Sequence, residues 1–245
     1  MSSTRSNPTY ASTPSHLLDA LKQLSTCEAS RSISDALVKL QIPSGGHVPD
    51  LQPFGANPTS AKDRLVGEVF TVQMVDANDS QAPKLDGGHF VDQALPGSIV
   101  FISSPHHIKS ASLGGLLAAG LHVKGVQAVF IDGRCRDLPE IRTLGMPVWA
   151  SSHSTLGQSP FTRPSTIQQP LTITHPHWPA LTISPHDVLI ADLDGVVVVP
   201  SAKVEQVVEL AIKAKQVDQN CMNDILEGKG IAETFAKHRG KTGKH

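Results

Sequence analysis

Apolar residues along this chain recur in two rhythms, one helical and one alternating. Leu17, Leu18, Leu21 and Leu24 fall on one face of a predicted helix beginning near Ser15. A second helix is predicted over Ser32 to Leu40, with Ser32 or Ser34 as its cap. Beyond the Gly45-Gly46 pair and several prolines, Gly67 to Val75 alternates as a strand with one buried face. Ser98 to Ser103 reads as the next strand, after the turn Leu95-Pro96-Gly97. A glycine-opened helix is predicted from about residue 114 to 124, then the apolar strand Val126 to Ile131 and a turn at Asp132-Gly133-Arg134. This order defines a βαβ unit with parallel strands and a right-handed crossover.

Residues 151–186, rich in Ser, Thr, Pro and His, interrupt the core pattern for longer than most connections do. An elaborated loop is expected there, with a strand-like piece at Leu171 to Ile173. Strands return at Asp187 to Asp192 and at Gly195 to Pro200, which closes the sheet. Val204, Val207, Val208, Ala211 and Ala214 then share a helical face between Ser201 and about Ile225. Gly228 should stop that helix; a short one follows to Phe235, and Lys237 to His245 read as a solvated basic tail. No internal repeat is visible.

Composition narrows the class. With 39% hydrophobic and 18% charged residues in a chain of 245, a sizeable single core is expected. Residues 1–14, rich in Ser, Thr, Pro and Asn, read as a disordered lead-in, 15–240 as the folded domain and 241–245 as a basic tail. Aromatic content of 4% leaves the core to Val, Ile, Leu and Ala, and offers little base-stacking surface. A net charge of −1, from 21 basic and 22 acidic side chains, argues against nucleic acid or an anionic membrane as partner. Three cysteines without CxxC spacing argue against a disulfide framework and a structural zinc site. Lacking a membrane-length apolar run or signal-peptide core, the protein is expected to be soluble and cytoplasmic.

The segment with most chemical content is Lys109 to Gly120, where Gly114 and Gly115 open a helix directly after a strand. First-turn amides lack partners within a helix and the dipole adds positive charge, so a carboxylate or phosphate is favoured there. Close helix–sheet packing explains the same glycines. Gly133-Arg134-Cys135-Arg136-Asp137 lies just past the next strand, on the edge where such units place ligands. Arg136 can fork two hydrogen bonds onto a carboxylate, and Asp137 offers an oxygen ligand to Mg²⁺ or Mn²⁺. The alternative is a surface ion-pair network among Arg134, Arg136, Asp137 and Glu140.

These blocks together resemble the RraA-like proteins, which include class II 4-hydroxy-4-methyl-2-oxoglutarate aldolases and related oxaloacetate decarboxylases. The resemblance runs through Ser34 to Leu37, Pro96-Gly97, Gly114 to Leu117, Lys124 to Val126, Asp132 to Asp137, Met146 to Ala150 and Ala191 to Pro200, within about residues 30–240. His153 to Phe161 and Glu233 to Gly240 resemble eukaryotic, particularly fungal, members. The resemblance implies an α/β fold of layered mixed β-sheets with flanking helices, of the swivelling β/β/α type, in a single domain. It also implies a homotrimer or hexamer with sites between subunits. Amides of Gly114, Gly115, Leu116 and Leu117 with Arg136 would hold a small 2-oxo acid, and Asp137 would hold Mg²⁺, Mn²⁺ or another divalent ion. Carbon–carbon cleavage or decarboxylation would then pass through a pyruvate enolate, with Arg136 and Asp137 as the catalytic pair.

Gly115 departs from the pattern, because many aldolases of the family carry Asp there. Decarboxylation demands less proton handling than aldol cleavage, so it tolerates that loss better. The family borrows an acid from a neighbouring subunit's C-terminal helix, and Asp218 is the nearest candidate by position. Two rivals stand beside the lyase: a non-catalytic regulator that binds an RNA-degrading endonuclease, and a lyase or isomerase recruited to specialised metabolism. Asp137 speaks against the regulator, whose branch lacks that acid.

Other residues carry competing readings. His106-His107 and His175-Pro176-His177 lack zinc-site spacing and read as surface loops. His153 is a candidate substrate contact. Asp35 either starts a helix or lines the cleft. Cys135 is either a thiol activated by flanking arginines or a small packing residue. Asp192 and Asp194 either bind metal or form a turn.

Overall fold

The fold follows from one long strand that serves two sets of neighbours. A computed structural model describes residues 12–23, 26–56 and 64–240. The expected lead-in up to residue 11 and the tail 241–245 lie outside the described residues. The chain runs α1 (Ser15–Gln23), α2 (Thr26–Lys39), β1 (Gln52–Pro53), β2 (Leu65–Asp76), α3 (Phe90–Gln93), β3 (Ile99–Ser103), α4 (Gly115–Val123), β4 (Ala128–Cys135) and α5 (Leu138–Thr143). It continues with β5 (Val148–His153), β6 (Thr162–Ile167), β7 (Leu171–His175), β8 (Trp178–Ile183), β9 (Val188–Asp192), β10 (Gly195–Val199), α6 (Val204–Leu226) and α7 (Ile231–His238).

The main sheet is ordered β1-β5-β4-β3-β2-β9-β10, with β6 also on β2. Strands β2 to β5 pair in parallel, as the βαβ pattern predicts. The first half of β2 (Leu65 to Glu68) pairs antiparallel with β9, and its second half with β6, so the sheet curls into a nearly closed barrel. Strand β2 is therefore covered on both faces, not one. Phe70, Val72 and Met74 pack under α3, α4 and α5, while Val69 packs with the β7–β8 hairpin. A third apolar cluster joins α1, α2 and α6 to β9 and β10.

Four local expectations are corrected. Ser32 and Ser34 lie inside α2, which begins at Thr26, so neither caps it. Residues 151–186 are mostly strands; Ser-, Thr- and Pro-rich β6 lies at a sheet margin, with Pro164 beside a register shift where a missing N–H is tolerated. The expected turn at Asp132-Gly133-Arg134 is an irregularity within β4, where Gly133 takes φ 152°. A Cβ on Gly133 would meet the Ser104 Cβ at 2.9 Å, so the strand passes only as glycine. Finally, Lys237 and His238 belong to α7 and bind Asp224 on α6 instead of trailing in solvent.

Candidate functional site

Two loops leave the same edge of the parallel sheet, after β3 and after β4, and main-chain bonds tie them together. Ser112 N donates to Arg134 O (2.8 Å) and Arg136 N donates to Leu113 O (2.9 Å). This pairing brings the start of α4 against Arg136 and Asp137. Gly114 caps α4 without a side chain, so the helix lacks an acceptor of its own. Asp137 supplies one from the other loop. Its main chain takes the left-handed conformation (φ 60°, ψ 42°), which Asp tolerates better than most residues. Its Oδ2 accepts from Gly115 N at 3.0 Å and lies 3.5 Å from Arg136 Nε.

Both glycines leave room for the carboxylates above them. A Cβ on Gly114 would stand 2.6 Å from Asp137 Oδ2, and one on Gly115 would stand 1.8 Å from Glu140 Oε2. An open cleft of about 510 Å³ results, bordered by Ser112, Leu116, Leu117, Arg136, Asp137 and Glu140. The Leu116 and Leu117 amides have no acceptor among the described residues and sit at the positive end of α4. A loop from β5 packs over Arg136: a Cβ on Gly157 would be 3.5 Å from the guanidinium carbon.

Five residues singled out by sequence thus line one cleft, Gly114, Leu116, Leu117, Arg136 and Asp137, while Gly115 donates its amide to Asp137 and borders an adjoining hollow with Leu116 and Glu140. Three others do not line it. Asp35 lies within α2 and lines a separate groove with His47 and Asp194. Asp218 on α6 accepts from Arg239. His153, at the end of β5, packs its ring against Phe54 at 5.6 Å. Of the ion-pair network expected among Arg134, Arg136, Asp137 and Glu140, only Arg136 to Asp137 forms among the described residues; Arg134 instead donates to Ser152 Oγ and His153 O.

Two residues escaped the sequence reading. Ser112 is 1% exposed, and its Oγ has no hydrogen-bond partner among the described residues although it borders the cleft. An unpaired buried hydroxyl costs about 1–3 kcal/mol, which a ligand group would offset. Glu140 reads from sequence only as one charge of a surface ion-pair network. Its carboxylate lies beside Gly115, and among the described residues it forms no ion pair.

The remaining candidates resolve into structural roles. Cys135 is fully buried, and loss of solvation pushes its thiol up to about 11, so it packs and is not an activated nucleophile. Asp192 Oδ1 accepts from Asp194 N at 2.9 Å, forming the turn into β10. Across the sheet from the α4 cleft, His106 pairs with the buried Asp132 (2.8 Å) and His175 with Asp50 (2.9 Å). Burial raises the Asp132 pKa although His106 opposes the shift. Among the described residues no group of three or more His, Cys, Asp or Glu is arranged to hold a metal ion.

A family profile described as RraA-like, aldolase/RraA, matches residues 30–198. The chain belongs to the RraA-like family. Protein DlpA of Legionella pneumophila is 24% identical over 213 residues, 87% of this chain but 32% of that protein, so the chain spans about a third of this relative's length. A Halalkalibacterium halodurans protein provisionally named 4-hydroxy-4-methyl-2-oxoglutarate aldolase is 26% identical over 175 residues, covering 71% of this chain and 78% of that one. Among solved structures, an uncharacterized protein from Pseudomonas syringae pv. tomato superposes with a TM-score of 0.72 at 26% identity, over 92% of this chain and 99% of that one. Streptomyces coelicolor RraAS2, an unusual member of the RNase ES inhibitor RraA protein family, shares the fold. Its TM-score is 0.66 at 22% identity, over 84% of this chain and 96% of that one.

Proposed function

We propose that the protein is a divalent-metal-dependent carbon–carbon lyase acting on small 2-oxo acids through a pyruvate enolate. Its reaction would be aldol cleavage of 4-hydroxy-4-methyl-2-oxoglutarate, decarboxylation of oxaloacetate, or both. One observation carries this reading: a helix N-terminus with open amides, an arginine and an aspartate converge on one cleft. The Leu116 and Leu117 amides and the Arg136 guanidinium together suit a carboxylate. Asp137 repels such an anion, so its presence favours a ligand pair of anion and cation. The donor set fits Mg²⁺ or Mn²⁺, since magnesium sites use one or two carboxylates and keep several waters, whereas structural zinc needs four closed ligands. Asp137 would hold the ion; once bound, it would supply Lewis acidity toward the 2-oxo group.

The chain's own groups do the rest. Arg136 and the α4 amides orient the substrate carboxylate. Breaking C3–C4 of the hydroxy acid as its C4 hydroxyl gives up a proton to solvent, or losing CO₂ from oxaloacetate, leaves enolate charge on the pyruvate C2 oxygen until water returns a proton to C3. The positive end of α4 and Arg136 stabilise that charge as it develops. Among the described residues no lysine borders the cleft, and the scheme uses no Schiff base.

Assembly belongs to the same proposal. Leu116, which borders the cleft, and Val123, two turns further along the same face of α4, are 87% and 85% exposed, and such apolar exposure supports a homotrimer or hexamer with sites between subunits. That exposure equally suits the rival reading, a non-catalytic regulator docking a protein partner at α4. Among the described residues no helix is long and apolar enough to cross a membrane.

Purified protein supplied with each acid and Mg²⁺ should release pyruvate, read by a coupled dehydrogenase assay, and chelation should stop it. Asp137→Ala and Arg136→Ala should each lower the rate by about 10²-fold or more. Full metal-dependent activity in Asp137→Ala, or no turnover of either acid by the parent protein, would sink the lyase reading; the second result favours the regulator.

A further inference from the structure

We propose that Glu140 supplies the second carboxylate of the α4 cleft, standing over the bare Cα of Gly115 and sharing with Asp137 the task of holding a divalent cation. The proposal rests on the lyase reading above and assigns a residue to it.

Gly115 is the starting point. Its backbone lies in the helical region and not at positive φ, so its conformation does not call for glycine. Space does. A Cβ there would lie 1.8 Å from Glu140 Oε2, 2.8 Å from its Cδ and 3.0 Å from its Cβ. Helix α5 therefore brings Glu140 into the volume that any side chain at 115 would enter. Asp137 stands likewise over Gly114. Two carboxylates thus face adjacent glycines at the start of one helix, and among the described residues Arg136 is the sole arginine or lysine bordering the cleft.

Their bonding separates them. Asp137 Oδ2 is engaged by the Gly115 amide and lies near Arg136. Glu140 has no ion pair and no side-chain hydrogen bond among the described residues, although a helix N-terminus lies beside it. With two acids against one arginine, the cleft carries excess negative charge, which a divalent ion reverses before an anionic substrate can enter. An independent sign of a ligand comes from Ser112, which borders the same cleft and whose buried Oγ has no partner among the described residues. Magnesium-type ions bound by one or two carboxylates match this donor set.

Mn²⁺ titrated into the full chain, followed by its free-ion electron paramagnetic resonance signal and by calorimetry, tests the idea without reference to activity. Asp137→Asn serves as the reference. Glu140→Gln, isosteric and exposed, should keep the melting temperature while weakening Mn²⁺ binding by about ten- to a hundredfold. Gly115→Ala should weaken it comparably by displacing the carboxylate, and combining the two should cost no more than either alone. Unchanged affinity in Glu140→Gln beside a deficient Asp137→Asn overturns the role of Glu140 and leaves the lyase reading intact. No Mn²⁺ binding by the parent protein removes both.

Discussion

At the scale of single residues, the cleft is defined by what glycine leaves out. Gly114 and Gly115 admit the carboxylates of Asp137 and Glu140 to the start of α4, where the helix offers open amides. Ser112 adds a buried hydroxyl without a partner. Ser112→Ala should therefore leave the melting temperature unchanged or slightly raised, because no native hydrogen bond is lost. If the hydroxyl meets substrate, kcat/KM for the 2-oxo acid should fall about three- to tenfold, the worth of one neutral hydrogen bond. A drop in stability without a change in kcat/KM would assign Ser112 to packing instead. The arginine and aspartate were legible in the sequence because they follow an apolar strand directly, which puts them on the ligand edge of a parallel sheet. Ser112 and Glu140 were not, because a serine in a loop and a glutamate on a helix carry no pattern until a neighbouring loop is placed against them.

At the scale of elements, two buried or paired aspartates fasten joints and respond to pH with opposite sign. Asp187, before β9, accepts from Ser184 N (2.7 Å) and Ser201 N (2.9 Å), tying the approach to β9 to the start of the C-terminal helices. Burial raises its pKa to about 6 from 3.8, so the folded state binds the extra proton and this group's contribution to stability declines as pH rises from 3.8 to 6. Asp224 on α6 is held the other way. Hydrogen bonds from Lys229, Lys237 and His238 lower its pKa below 3.8, so its contribution is present above 3.8 and lost as pH falls through the lowered value. Since Lys237 and His238 lie on α7, this carboxylate latches α7 to α6. Asp224→Asn should raise amide exchange across Ile231–His238 at neutral pH and lower the melting temperature. The difference from the parent protein should shrink as pH is taken below 3.8. Exchange in α7 unaffected by the substitution would mean that other contacts to α6, such as the Arg239–Asp218 ion pair, hold the helix.

At the scale of the whole molecule, α4 joins site and surface. Its helix is apolar nearly all round, with Ala118 and Leu121 in the core but Leu116 and Val123 turned outward. If copies of the chain bury that face, Leu116→Lys with Val123→Lys should shift the mass seen by light scattering from a trimer or hexamer to the monomer. A parent protein already monomeric at micromolar concentration would end that expectation. The sequence by itself determined the elements whose periodicity is strong: the βαβ unit from β3 to β4, the closing pair β9 and β10, and α6 ending before Gly228, because one-sided burial writes its period into the chain. It also determined that a glycine-led helix start and an Arg-Asp pair share an edge. Tertiary structure alone decided that 151–186 is largely strand, since margin strands with mixed faces keep no clean alternation. The same holds for β2, which serves two sets of neighbours and is buried on both faces. It also decided which charges meet: Asp218 with Arg239 on the helical side, and Glu140 above Gly115, because contacts between residues distant in the chain depend on how loops dock and not on local spacing.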